Sequence, residues 1–241
     1  MNAVKPPRRG YQSDLRDRQA AETRGAVLGA ARELFLTHGY GATTIEQIAE
    51  RAGVSKPTVF SAVGSKQAVM AALRTVALRG DDDAATVAER EPWQRVLGEP
   101  DPYRAVQLEV THLADLWSRW AELKEVLRGA ASGGEPALRE LWATGEEQRL
   151  VAAQRFVSAL AAKGPLRDGL GKHTAIDITW ALASPEHYQA LVAERGWSRA
   201  RYEKWLTDTL THALLPPRPS TRRRAARRSP RRKRPRGRSA A

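Results

Sequence analysis

A chain of 241 residues without a single cysteine holds no disulfide, no thiolate metal centre and no cysteine nucleophile. It is long enough for one large domain or two small ones with a proper core, and no apolar run approaches the roughly 18 residues a membrane-spanning helix needs. The net charge of +13 is concentrated at one end: residues 216–241 hold eleven arginines, one lysine and no acid, and residues 1–215 keep only +1.

Residues 1–22 open with Lys5, Arg8 and Arg9 around Pro6-Pro7. They read as a flexible basic arm, and the absence of an apolar h-region argues against a secretory signal. Val27, Leu28, Ala31, Leu34 and Phe35 then repeat at i, i+1, i+4, i+7 and i+8, one face of a helix that Gly39 closes. Thr44 and Gln47 have the spacing of a capping box, and Ile45, Ile48, Ala49 and Ala52 give the next buried face. Gly53 stops that helix by accepting the left-handed conformation. Ser55 is placed to cap another, with Pro57 in its first turn where a missing N–H does no harm. Two short helices joined through a glycine turn make a helix-turn-helix, which sets its second helix in the DNA major groove. An ordinary helical hairpin in a core is the plainer account. It leaves the hydroxyls and charge of Ser55, Lys56, Thr58 and Ser61 on an outer face without a purpose.

Ser65 caps a further helix with a face of Val69, Met70, Leu73, Val76 and Ala77. The string from Ala26 to Met70 resembles the N-terminal domain of TetR-type transcriptional regulators. The match runs through Ala30-Ala31, Leu34-Phe35, Gly39-Tyr40, Thr43-Thr44-Ile45, Ile48-Ala49, Ala52-Gly53-Val54-Ser55, Thr58-Val59 and Ser65-Lys66. This resemblance covers about the first third of the chain. It implies a DNA-binding domain over residues 23–80 that docks, as a homodimer, on a pseudo-palindromic operator in double-stranded DNA. Lys56, Thr58 and Ser61 are the expected base-reading residues, and Thr44 and Lys66 the expected phosphate holders. Thr43, Ser55, Pro57 and Phe60 complete that surface. Members usually carry tyrosine at the position of Phe60, which keeps the packing but lacks a hydroxyl that commonly touches phosphate. Ala62 and Val63 stand where aromatic or histidine side chains are usual, so a further backbone contact is missing.

After Ala77 the pattern changes. Gly80-Asp81-Asp82-Asp83 breaks the helix and reads as a solvated hinge, and Pro92, Gly98, Pro100 and Pro102 suggest an irregular connection around Trp93. From Tyr103 a helical stripe of Val106, Val110, Leu113, Trp117 and Trp120 leads to a turn at Gly133-Gly134. A long helix through Leu138, Trp142, Leu150, Val157 and Leu160 ends near Gly164-Pro165. Ile176, Trp180 and Ala183 begin the next, interrupted at Ser184-Pro185, and Ser198 caps the last. Residues 81–215 thus form a larger helical domain for ligand binding and dimerisation, and the fold class is all-α. Six of the seven tryptophans lie beyond residue 100. Tyr103, His112, Trp117, Trp120, Trp142 and Trp180 are candidates to line a cavity for a small apolar or aromatic effector, although indoles at helical spacing also simply fill cores. Tyr188, Leu191, Trp205, Leu206 and Leu210 lie on faces too apolar for solvent and suit a dimer interface. The resemblance implies the same, through paired terminal helices; closure of the monomer's own core is the alternative.

Residues 216–241, rich in Arg and Pro, cannot bury enough apolar surface to order themselves and should attract phosphate backbones without reading sequence. Compositional bias toward Arg, Ala, Gly and Pro is the other account of this tail. No Gly-rich phosphate loop, nucleophile elbow or zinc-protease motif occurs, and the histidines are too scattered for a metal site. The expectation is therefore a cytoplasmic, nucleoid-associated regulator without enzymatic activity, cofactor, metal or membrane partner. It would be a repressor released by its ligand. A nucleoid-type architectural protein, drawing its affinity from the tail, is the alternative.

Overall fold

The first helix is interrupted where the sequence places its glycine. Gly39 adopts φ 79°, outside the range of L side chains, and the chain turns so that the Tyr40 ring lies 5.3 Å from the buried ring of Phe35. Thr43, fully buried, donates its hydroxyl to the carbonyls of Gly39 at 2.8 Å and Leu34 at 3.3 Å. The computed structural model describes residues 9–80 and 91–218. Helix α1 spans Arg9–Ala42, α2 Ile45–Ala52, α3 Lys56–Ala62 and α4 Lys66–Arg79. The segment expected to be an arm is therefore helical from Arg9 onward, and residues 1–8 lie outside the described residues.

Local chemistry sets each boundary of the helix-turn-helix. Thr44 and Gln47 close the capping box reciprocally, at 3.2 Å from Gln47 N–H to Thr44 Oγ1 and 2.8 Å from Thr44 N–H to Gln47 Oε1. Gly53 takes φ 69° and returns its N–H to the last turn of α2. Ser55 accepts the Thr58 N–H, and Ser65 that of Ala68. Val27, Ala31, Phe35, Ile48, Val59, Val69 and Met70 then pack as one end of an apolar core that continues through the later helices. Truncating a side chain enclosed like Phe35 costs about 3–5 kcal/mol.

The rest of the described chain is built around one long helix. α5 covers Glu91–Gly98, α6 Pro102–Ser132, α7 Pro136–Lys163, α8 Lys172–Leu182, α9 Pro185–Tyr188 and α10 Arg199–Leu214. α6 packs against α1, α4, α5, α7, α9 and α10, so it is the mast to which the helix-turn-helix region and the later helices are both fastened. The irregular connection expected around Trp93 is in fact helix α5: Pro92 sits in its first turn, where it needs no donor, and Trp93 and Val96 are buried. Ser184-Pro185 marks a restart rather than a kink, because α8 ends and α9 begins there. α9 runs on as a π-helix, Gln189–Glu194, before Gly196. The acidic hinge at Asp81–Asp83 lies outside the described residues, as does the tail from Pro219. Among the described residues there is no strand, and no helix is long and apolar enough to cross a membrane.

Candidate nucleic-acid interface and effector cavity

Helix α3 presents one face outward. Val59 is buried against α1 and α2, which turns Lys56, Pro57, Phe60 and Ser61 to solvent, with Thr58 half-buried between them. Ser55 Oγ and Thr58 Oγ1 lie 2.7 Å apart, and Ser61 donates to the Thr58 carbonyl at 3.0 Å. Lys56 is ion-paired with Glu46 of α2. That pair is exposed and contributes little to stability, so it holds the lysine near the surface without committing it. The Arg24 guanidinium of α1 donates to the Ala62 carbonyl at 3.0 Å, bracing the C-terminal end of α3.

Two expectations for this surface need correction. Thr43 does not reach the outer surface; its hydroxyl is spent inside the turn after α1 and its side chain is enclosed. Lys66 reaches back to that same turn, donating to the carbonyls of Tyr40 at 3.0 Å and Thr43 at 2.9 Å and standing 4.2 Å over the Tyr40 ring. Two of its three N–H donors are thus committed to the fold, which makes it a brace between α4 and α1. Phe60 is 48 % exposed, an apolar side chain on the outward face of α3.

Behind this head, α4, α6, α7 and the end of α8, with Trp93 of α5, surround a cavity of about 650 Å³. That volume falls in the range of small-molecule sites. His112, Trp117, Trp120, Trp142 and Trp180 all line it, and Tyr103 does not. The Tyr103 hydroxyl instead donates to the Pro216 carbonyl at 2.7 Å, with the Arg218 guanidinium 4.5 Å from its ring centre, pinning the end of the described chain. The sequence reading missed the charged residues of the lining. Lys124, almost buried, stands 4.6 Å over the Trp142 ring and pairs with Glu186. Glu146 Oε1 lies 2.8 Å from its ammonium without the alignment of a hydrogen bond, so that contact is an ion pair. Arg149 reaches Glu146 at 2.6 Å and the Trp180 carbonyl at 2.8 Å. Farther along α6, the Glu109 carboxyl is 4 % exposed with Oε2 unpartnered, and burial pushes its titration up to about 8. Burial also pushes His112 down to about 4, so both groups are uncharged near neutrality. The Trp117 indole N–H is buried and unpartnered too.

The two regions share a helix. α4 starts at the Ser65 cap, buries Val69 and Met70 in the head, and lines the cavity with Arg74, Thr75, Leu78 and Arg79. Its C-terminal end is held from α6, where Arg119 Nε donates to the Ala77 carbonyl at 2.8 Å.

Residues 27–73 match the sequence model of the bacterial regulatory proteins of the tetR family. Bacillus subtilis YdeS, an uncharacterised HTH-type transcriptional regulator, is 30 % identical over 174 residues, which span 70 % of this chain and 79 % of YdeS. The chain belongs to the TetR family. The fold agrees over nearly its whole described length. A SmeT–triclosan complex superposes at TM-score 0.58, with 22 % identity, over 80 % of this chain and 91 % of the other. NalD, the secondary repressor of the MexAB-OprM multidrug efflux pump in Pseudomonas aeruginosa, does so at 0.57 and 22 %, over 82 % and 98 %. As a TetR-family chain the protein is a helix-turn-helix transcriptional regulator.

The residues expected at a TetR dimer face divide. Leu206 and Leu210 are fully buried within the protomer and Tyr188 nearly so, its ring edge-on to Tyr202 at 5.0 Å. Their apolar face closes the chain's own core between α10, α6 and α8, so they are not available to a second copy. Leu191 and Trp205 remain half-exposed, and Trp180 of α8 is 37 % exposed under the Arg149 guanidinium.

Proposed function

We propose that this regulator is a repressor that binds a pseudo-palindromic operator as a homodimer and is released by a small molecule held in the α4/α6/α7 cavity. One observation carries the reading: a single 14-residue helix, α4, is core to the DNA-binding head at its start and wall to the cavity at its end. A ligand that prefers one placement of α4 thereby biases the placement of α3. It shifts that equilibrium only by its differential affinity for the two states, and a decisive shift from about 1:99 to 99:1 takes roughly 5.5 kcal/mol.

On the DNA, Lys56, Thr58, Phe60 and Ser61 are the proposed reading residues, and Thr44, exposed at the N-terminus of α2, sits at a phosphate-holding position. Trp205 and Leu191, both half-exposed, are the expected dimer-face side chains still open to a partner subunit. The NalD and SmeT likenesses are in fold, and they support the repressor and ligand parts only by analogy. A cytoplasmic site of action follows from the DNA target.

The test is reciprocity. A compound that binds the cavity and lowers operator affinity by some factor must itself bind the operator complex more weakly by the same factor. Fluorescence anisotropy of labelled operator and calorimetry of the compound, with and without DNA, give the two numbers. A compound shown to occupy the cavity that leaves operator affinity unchanged defeats the reading.

A further inference from the structure

Glu109 is costly where it sits. A carboxyl enclosed among α6 and its neighbours, with one oxygen unpartnered, has given up solvation without gaining a partner in the fold. Its place on α6 is informative. Glu109, Leu113, Leu116 and Trp120 follow one another at i, i+4, i+7 and i+11, and all line the cavity. At 1.5 Å per residue, Trp117 lies about 12 Å and Trp120 about 16 Å along the helix from Glu109. Beside Glu109, one turn on, the His112 ring stacks 6.0 Å from Trp93.

We propose that the cavity's ligand is a lipophilic cation, its ammonium against Glu109 near Trp93 and its apolar body lying along Trp117 and Trp120. Resting on the effector reading above, this inference names the class of effector. Aromatic faces attract a cation most strongly when it is desolvated, and a carboxylate beside them supplies the counter-charge.

The other charges of the cavity are disposed to permit this. α4 brings Arg74 and Arg79, α6 His112 and Lys124, and α7 Glu146, Glu147, Arg149 and Arg155, while α5 and α8 add no charge to the lining. Lys124, about 22 Å along α6 from Glu109, and Arg149 share Glu146. Arg74 donates to Gln148 of the same α7 stretch. Lys124, Arg149 and Arg74 therefore gather at the Glu146 end, while Arg155 lines a second groove together with Trp93 and Arg119 is turned to the Ala77 carbonyl. His112, uncharged near neutrality, adds no repulsion at the Glu109 end. Burial alone displaces the titration of Glu109, so none of these charges dominates it.

The Glu109 carboxyl keeps its proton below about pH 8. A fixed cation favours the ionised form, so its affinity must rise about tenfold per pH unit toward 8 and then level off, with one proton released per ligand below that point. The probe pair is (4-butylbenzyl)trimethylammonium, whose charge does not titrate, and its neutral carbon isostere 1-butyl-4-neopentylbenzene. Calorimetry on the full chain at pH 6, 7 and 8, in buffers of different ionisation enthalpy, reads affinity and proton count together. The expected result is at least tenfold preference for the cation at pH 8 and release of about one proton at pH 6–7. Glu109→Gln should abolish both while still binding the isostere. Equal affinity for the two probes, or binding of the cation without proton release by the wild-type chain, overturns the proposal. If the isostere binds and the cation does not, the effector cavity stands and the cation class falls. If neither binds, the cavity loses its claim as an effector site as well.

Discussion

Replacing Glu109 by Gln keeps the shape of the protonated carboxyl, with a donor and an acceptor in place, and removes its ability to ionise. In the folded chain this group titrates at about 8, against an ordinary 4.5 that the unfolded chain should restore. Between those values the folded state holds a proton that the unfolded state has released. Stability therefore falls as pH rises through this window, by about 1.4 kcal/mol per unit and about 4–5 kcal/mol across the whole of it. The variant has no such slope. Urea unfolding of both proteins at pH 6, 7 and 8 should show Glu109→Gln gaining about 2–3 kcal/mol on the wild type over those two units. For a chain of this size that equals a rise of roughly 4–12 °C in relative Tm. His112 acts in the opposite sense: depressed to about 4 by burial, it withdraws stability as pH falls below its ordinary 6.5. That contribution is common to both proteins and cancels in their difference. Parallel stability profiles for the two proteins would refute the argument, because they would mean Glu109 is already ionised or solvated in the fold.

Thr43→Val, nearly isosteric, should cost about 1–3 kcal/mol in urea unfolding, because two carbonyls lose their donor inside the α1–α2 turn. Its ranking of DNA sequences should not change. Lys66→Met should lower stability by a similar amount, about 1–3 kcal/mol, by removing the brace to Tyr40 and Thr43. A loss of DNA affinity with unchanged unfolding would instead return Lys66 to the role of phosphate holder. Phe60→Ala should leave stability within about 0.5 kcal/mol because the ring is half in solvent. It should cost about 1–3 kcal/mol at the base pair the ring touches, read by titrating operator variants.

The head was legible because its determinants are local. Thr44, Gln47, Gly53, Ser55 and Ser65 act within a few residues of themselves, and spacing alone identifies a cap or a left-handed turn. Thr43 and Lys66 were misread because their partners, Leu34 and Tyr40, lie 9 and 26 residues away, across a turn whose direction the sequence does not give. The indoles of the cavity were found from their placement on helix faces, yet Tyr103 was grouped with them although it packs at the far end of α6 on Pro216. Apolar faces say that something covers them without saying what, and so Tyr188, Leu206 and Leu210 passed for a dimer surface. Helix α5 was hidden by Pro92, which signals a break in mid-helix and a start in a first turn. Glu109 carries a usable signal, an acid inside the stripe of Val106, Val110 and Leu113, which no metal or catalytic motif contains.

The most direct test is selection of bound fragments from random duplex DNA by the full chain at physiological salt. The account predicts enrichment of an inverted repeat whose half-site centres are separated by about 34–36 Å, one helical turn, or a multiple of it. Substitution of Lys56 or Thr58 should change the preferred bases within each half-site. Binding that is tight but returns no enriched motif would contradict it, leaving a protein held to phosphates by its charge alone.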